Sequence, residues 1–194
     1  MSVNHSEISS FIWNVCDDVL RGLFKPHEYG DIILPFTVLR RLDCVLEEHK
    51  DTVINLHNEF KSKVEDPTPI ILNKVNTSFF NHSQFDLNRL KQDPSNIQMN
   101  LQNYLGGFSN NVLEVVENFQ LEKPIEKLNK NNRLYQFIEK FSEIDLHPDV
   151  VSNHQMGQVF EELLRKFSEM SNETNGEHYT PRDVVRLLVS LVFS

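Results

Sequence analysis

Apolar residues recur at the helical period along most of this chain. Ile8, Phe11, Ile12, Val15, Val19 and Leu23 mark a first helix that Ser6 or a neighbour can cap, with Arg21 late and Gly22 near its end. Ile32, Phe36, Leu39, Leu42, Val45 and Leu46 share one face of a second helix, which begins near Tyr29 to Asp31 and runs to about Lys50. Pro35 sits inside it. Proline lacks an N–H and its ring crowds the preceding turn, so it should kink this helix or confine the regular part to the residues after it. Asp51 restarts a helix through Val53, Ile54, Leu56, His57 and Phe60, until Pro67 and Pro69 break it.

The middle of the chain is less regular. Ile70 to Val75 reads as a short helix and Thr77 to Asn81 as extended. Asp86 and Ser95 are plausible caps for two short helices, the second carrying Ile97, Met99, Leu101, Tyr104 and Leu105 and closed by Gly106-Gly107. Helical segments follow over Phe108 to Phe119 and from Pro124 to about Lys130; after Asn131-Asn132 comes another, with Leu134, Phe137, Ile138 and Phe141, and Pro148 ends it. The clearest pattern comes last. Met156, Val159, Phe160, Leu163, Leu164, Phe167 and Met170 form one stripe, with Glu161, Glu162, Arg165, Lys166 and Glu169 opposite. Ser171 to Gly176 is polar and reads as a linker. The fold class expected is all-α, a multi-helix domain over residues 1–171, followed at 172–194 by a linker and the first helix of something further.

That last stretch has its own local logic. In Gly176-Glu177-His178-Tyr179-Thr180-Pro181-Arg182-Asp183, Thr180 suits an N-cap, Pro181 the first helical position and Asp183 the third. Tyr179 and Val184 have the spacing of a hydrophobic staple. A helix start of this kind, with Arg182 in its first turn, offers N–H groups and a guanidinium to a carboxylate or phosphate. An ordinary capped helix accounts for the same residues. From Val184 to Ser194, eight of eleven residues are large and apolar on nearly all faces, which requires burial on several sides and suggests a following domain of which this is only the first element.

Composition narrows the function classes. The 194 residues carry a net charge of −9 and 39% hydrophobic residues, suited to a folded domain that avoids polyanions on its own. Cys16 and Cys44 are the two cysteines, without C-x-x-C spacing, and both fall in apolar periodic segments as buried reduced thiols would. No signal-peptide pattern and no apolar run of roughly 18 residues occurs, which points to a cytoplasmic protein.

Catalytic motifs are absent. His27, His49, His57, His82, His147, His154 and His178 are scattered, with no H-E-x-x-H and no metal-ligand spacing, and none of the nucleophile-elbow or phosphate-loop patterns occurs. Arg40-Arg41 could form a contact patch, though pairs with Asp43 and Glu47 at helical spacing explain them as well. Lys123, Lys127, Lys130 and Arg133 surround a single Glu126; phosphate contact or a solvated face would account for them.

Two segments are similar to a known family. Leu20-Arg21-Gly22, Tyr29-Gly30-Asp31-Ile32-Ile33-Leu34-Pro35-Phe36 and Leu39-Arg40-Arg41-Leu42-Asp43 resemble the N-terminal helical region of the modification subunit of type I restriction–modification systems. Met156-Gly157-Gln158-Val159-Phe160-Glu161-Glu162-Leu163-Leu164, followed by Gly176 to Val185, resembles that family's approach to its catalytic domain. The resemblance implies a DNA adenine-N6 methyltransferase using S-adenosylmethionine, with Glu177, His178, Tyr179, Thr180, Pro181 and Arg182 beside the cofactor's methionine end. It also implies a specificity subunit, a second modification subunit and a restriction subunit as partners, with DNA reached through the assembled complex. Two departures stand out. His178 replaces a usual aromatic, and neither the family's glycine-rich cofactor loop nor its Asn-Pro-Pro-aromatic motif occurs, so no catalytic residue is expected in this chain and the chain alone should be inactive. A non-catalytic helical protein-interaction module, or a DNA-binding domain in its own right, are the alternatives.

Overall fold

The fold is that of a computed structural model, which describes the backbone of residues 5–175 and the side chains of residues 8–171. Its helices are α1 (His5–Val15), α2 (Tyr29–Leu46), α3 (Lys50–Phe60), α4 (Thr68–Val75), α5 (Leu87–Leu90), α6 (Ile97–Leu105), α7 (Asn110–Asn118), α8 (Glu122–Lys130), α9 (Leu134–Glu143) and α10 (Asn153–Asn175). Among the described residues there is no strand, only isolated bridges pairing Arg21 with Phe24 and Asn81 with Phe108. The expected all-α class holds.

The chain forms two compact units. One draws on the residues up to Arg41 and again from Lys140; the other is the continuous stretch Leu42–Glu139. In the first, Ile8, Ile12 and Val15 of α1, Ile32, Ile33 and Phe36 of α2, and Met156, Val159, Phe160 and Leu163 of α10 are all buried. The stripes read from the sequence therefore face a core. Phe141 fills it further, 5.7 Å from the ring of Phe36 and edge-on to Phe11 at 6.5 Å. Cys16 lies in a π-helical turn, Cys16–Leu20, that extends α1, and Gly22 follows in the left-handed region at φ 77°. Both cysteines are buried free thiols, as expected, and burial pushes the Cys16 thiol up to about 12.

Pro35 does not confine α2. The helix runs through it from Tyr29, and the Thr37 hydroxyl donates to the Ile33 carbonyl at 2.8 Å in the turn that the ring disturbs. The polar stretch after Ser171 is likewise no break in the helix, because α10 continues to Asn175. A polar helix end is simply a solvated one, and no proline or glycine interrupts it before Gly176.

In the second unit, Val53 and Leu56 of α3, Ile71 and Val75 of α4, and Phe80 form a buried cluster that Phe60 and Leu72 border. Asp86 caps α5, accepting the Arg89 N–H at 2.7 Å, as its position predicted. Ser95 does not cap α6. It lies in a 3-10 turn, Pro94–Asn96, and Asn96 takes the cap position. A proline directly before Ser95 favours that tighter turn and moves the helix start on by one residue.

Candidate functional site

The six residues assigned to a cofactor by resemblance, Glu177, His178, Tyr179, Thr180, Pro181 and Arg182, lie outside the described residues, as does the apolar run Val184 to Phe193. What is described is the helix that leads to them. α10 starts on a reciprocal cap: Gln155 Oε1 accepts the Ser152 N–H at 3.0 Å, and Ser152 Oγ accepts the Gln155 N–H at 3.3 Å. The Ser-x-x-Gln spacing that signals such a cap stands in the sequence just ahead of the apolar stripe.

Arg40 and Arg41 hold the approach to that cap. Both are buried, and each donates to main chain far along the sequence. Arg40 Nε donates to the Ile144 carbonyl at 2.7 Å. Arg41 donates to the Leu146 carbonyl, to the Val151 carbonyl at 2.8 Å and to Asn153 Oδ1 at 2.6 Å. A planar guanidinium serves several acceptors in a fixed fork, so Arg41 fastens the connection from α9 to α10 and the first residue of α10 itself.

Further along, α10 is seated on α1 and the start of α2. The Ser9 hydroxyl donates to Glu162 at 3.0 Å, and Lys166 pairs with Glu162 at 3.3 Å while lying 5.1 Å above the Trp13 ring. Phe167 packs on Trp13 with ring centres 5.1 Å apart. Gly30 meets the same phenylalanine: a Cβ there would stand 3.2 Å from Phe167 Cβ.

The second unit contains a buried polar group that the sequence reading missed. Asp43 accepts the Leu87 N–H at 2.7 Å and a hydrogen bond from Tyr104. Burial pushes its carboxyl up to about 6 despite those donors. Lys50 Nζ donates to the Phe85 carbonyl at 2.6 Å and to Asn81 Oδ1 at 3.3 Å; burial lowers its ammonium to about 8, although Asp43 acts the other way. Asn81 completes the group by donating to the Tyr104 carbonyl at 2.9 Å. Charged residues inside an apolar stripe, as Asp43 is between Leu42 and Cys44, were the available signal. Its members hydrogen-bond one another and the main chain, so the group fastens the segment Asn81 to Leu90.

Beside it, His57 and His82 stack with ring centres 4.0 Å apart. Burial, then the neighbouring His57, Lys50 and Lys61, hold His82 down to about 4, so the rings stack as neutral groups. The three lysines of the basic cluster lie on α8. Lys130 pairs with Glu126 at 2.7 Å, and Lys123 borders a cleft of about 680 Å³ whose rim also carries Glu117 and Glu122.

Comparison with known proteins bears on this arrangement directly. A family model described as the HsdM N-terminal domain matches residues 8–141, well over half of the chain. The chain belongs to that family. The match runs from α1 into α9, and a second model, N-6 DNA Methylase, matches residues 151–194. Among curated proteins, the chain is similar to the Type I restriction enzyme MjaIX methylase subunit of Methanocaldococcus jannaschii, at 23% identity over 198 residues. That alignment covers 96% of this chain and 35% of the relative, so the chain spans about a third of the relative's length.

Proposed function

We propose that this chain is the N-terminal part of a type I modification subunit whose full-length form transfers a methyl group from S-adenosylmethionine to adenine N6 in DNA. The observation that supports the reading most is the order of two matches in one chain, an HsdM N-terminal domain over 8–141 and an N-6 DNA Methylase from 151. In this reading residues 1–171 serve subunit assembly, and residues 172–194 open the catalytic domain. The partners are a specificity subunit, a second modification subunit and a restriction subunit, and DNA is met through the assembled complex, as the acidic net charge of −9 favours.

The donor set of the Glu177–Arg182 stretch fits the cofactor's methionine end. The Thr180 hydroxyl and the Arg182 guanidinium, at a sequence-coded helix start, suit a carboxylate. S-adenosylmethionine supplies the activated methyl group; this chain's part is to bind and orient one end of it. Alignment of a flipped adenine's amino group needs further residues, so the 194-residue chain alone is inactive. The test is transfer of radiolabelled methyl to adenine in DNA by the full-length subunit assembled with its specificity subunit, beside the 194-residue chain. Label incorporated by the assembly alone supports the reading, and methylation by the short chain, or none by the assembly, contradicts it.

A further inference from the structure

α6, α7 and α8 border a cleft of about 680 Å³ that lies wholly inside the second unit and inside the HsdM match. Its floor is apolar. Val116, Leu121 and Ile125 are buried there, and Leu105 and Leu113 are half-buried beside them. Its rim is polar, formed by Gln102, Glu117, Gln120, Glu122 and Lys123, all exposed. An apolar trough edged by polar groups suits an amphipathic segment, the trough supplying affinity and the rim specificity.

Two further observations lengthen and specify it. Met99 stands one turn before Gln102 and two turns before Gly106 on the same face of α6. At 62% exposure it is the most exposed large apolar side chain among the described residues, and it extends the apolar surface along α6 beyond Gln102. Unbranched and polarisable, a methionine adapts to an incoming apolar group. Gln120, in the turn from α7 to α8, has φ 52°, a left-handed conformation that glycine would adopt freely. A glutamine there sets an amide at the rim, which can both donate to and accept from a bound main chain.

The charge of the rim selects the occupant. Two acids, Glu117 and Glu122, stand with a single cation, Lys123. Among the described residues neither acid is in an ion pair, whereas Glu126, further along α8, is held by Lys130 at 2.7 Å. A second copy of a chain with net charge −9 would add to that negative field, and an acidic segment would be repelled by it. The geometry points to a docking groove for a helical segment of another protein, apolar along one face and carrying lysine or arginine beside that face. The groove is independent of the methyltransferase reading, since it uses no residue after Ile125.

The probe that tests it is a synthetic helical peptide with leucines along one face and lysines beside them. A copy in which glutamate replaces every lysine is the control. Each is titrated into the 194-residue chain carrying isotope-labelled methionine methyls, and the Met99 resonance is followed against that of buried Met156. The lysine peptide should move Met99 saturably, and the glutamate peptide should bind about tenfold more weakly or not at all. Glu117→Lys combined with Glu122→Lys, both at exposed positions, should exchange the preference between the two peptides. Leu113→Trp, which fills the cleft from its half-buried wall, should abolish binding of the lysine peptide. No saturation by about 1 mM lysine peptide overturns the proposal, as does equal affinity for both peptides. Binding that leaves Met99 unmoved, or that survives the charge reversal, overturns it as well. So does self-association of the wild-type chain that the charge reversal abolishes, because the occupant would then be a second copy.

Discussion

Gly107 lies directly against Asn81: a Cβ on the glycine would come within 2.7 Å of Asn81 Oδ1, and equally close to Ser83 Cβ. The Ser83 backbone nitrogen is only 2.8 Å from the same point, so the obstacle includes main chain that cannot swing aside. The two strands of chain are drawn together by the His82 N–H on the Gly107 carbonyl at 2.8 Å and the Ser109 N–H on the Phe80 carbonyl at 2.9 Å. Asn81 is also an acceptor for Lys50, which makes this contact part of the buried polar group.

Gly107→Ala is therefore expected to destabilise the chain by roughly 3 kcal/mol, read as a lowered urea midpoint. Gly22→Ala is the control. Gly22 has φ 77° but open space around it, so only backbone strain of about 1 kcal/mol opposes the methyl. Equal midpoints for the two variants would remove the close approach as the cause.

Asp43 and His82 oppose one another in acid. With its carboxyl pushed from 3.8 to about 6, Asp43 holds a proton in the folded chain where the unfolded chain has lost it, and its contribution to stability falls as pH rises through that window. His82, lowered from 6.5 to about 4, is protonated first in the unfolded chain, so its contribution grows with pH over that range. Asp43→Asn should make stability rise more steeply between pH 4 and 6.5 than in the wild type, and His82→Gln should flatten or invert the trend. Urea midpoints across this range decide it, and identical slopes in all three proteins would refute the assignment.

Arg41→Met leaves the Leu146 and Val151 carbonyls and Asn153 Oδ1 without their guanidinium donor in a buried setting. A loss of roughly 3 kcal/mol is expected, together with faster amide exchange over residues 146–156. Arg41→Lys should recover only part of it, because an ammonium cannot reproduce the planar fork. Exchange in this segment at the wild-type rate would show that Arg41 does not fasten it.

The helices were legible wherever one apolar stripe dominated. Met156, Val159, Phe160, Leu163 and Phe167 were read as one face of a helix and are buried together. Long-range partners were not legible. Arg41 donates to the Leu146 and Val151 carbonyls and to Asn153 Oδ1, acceptors that the fold brings from more than a hundred residues away. Asp43 and Lys50 were unreadable for the same reason, since Phe85 and Leu87 meet them only once the segment after α4 has folded back. Ser171 to Asn175 misled because polarity marks solvent and not the end of a helix. The cofactor stretch itself was legible only by resemblance, local rules having yielded no more than a well-capped helix start with room for an anion.

The unit that seats α10 is written at both ends of the chain, with the whole of Leu42–Glu139 between. On a ribosome the inserted unit is complete first, while α1 and α2 wait for residues beyond Lys140 to cover Ile8, Ile12 and Phe36. At about 5–20 residues per second that interval lasts several seconds, during which an apolar face stays open to chaperones and to its copies on neighbouring ribosomes. Production of this domain should therefore depend on the rate of synthesis between α2 and α10 more than on the final stability of either unit.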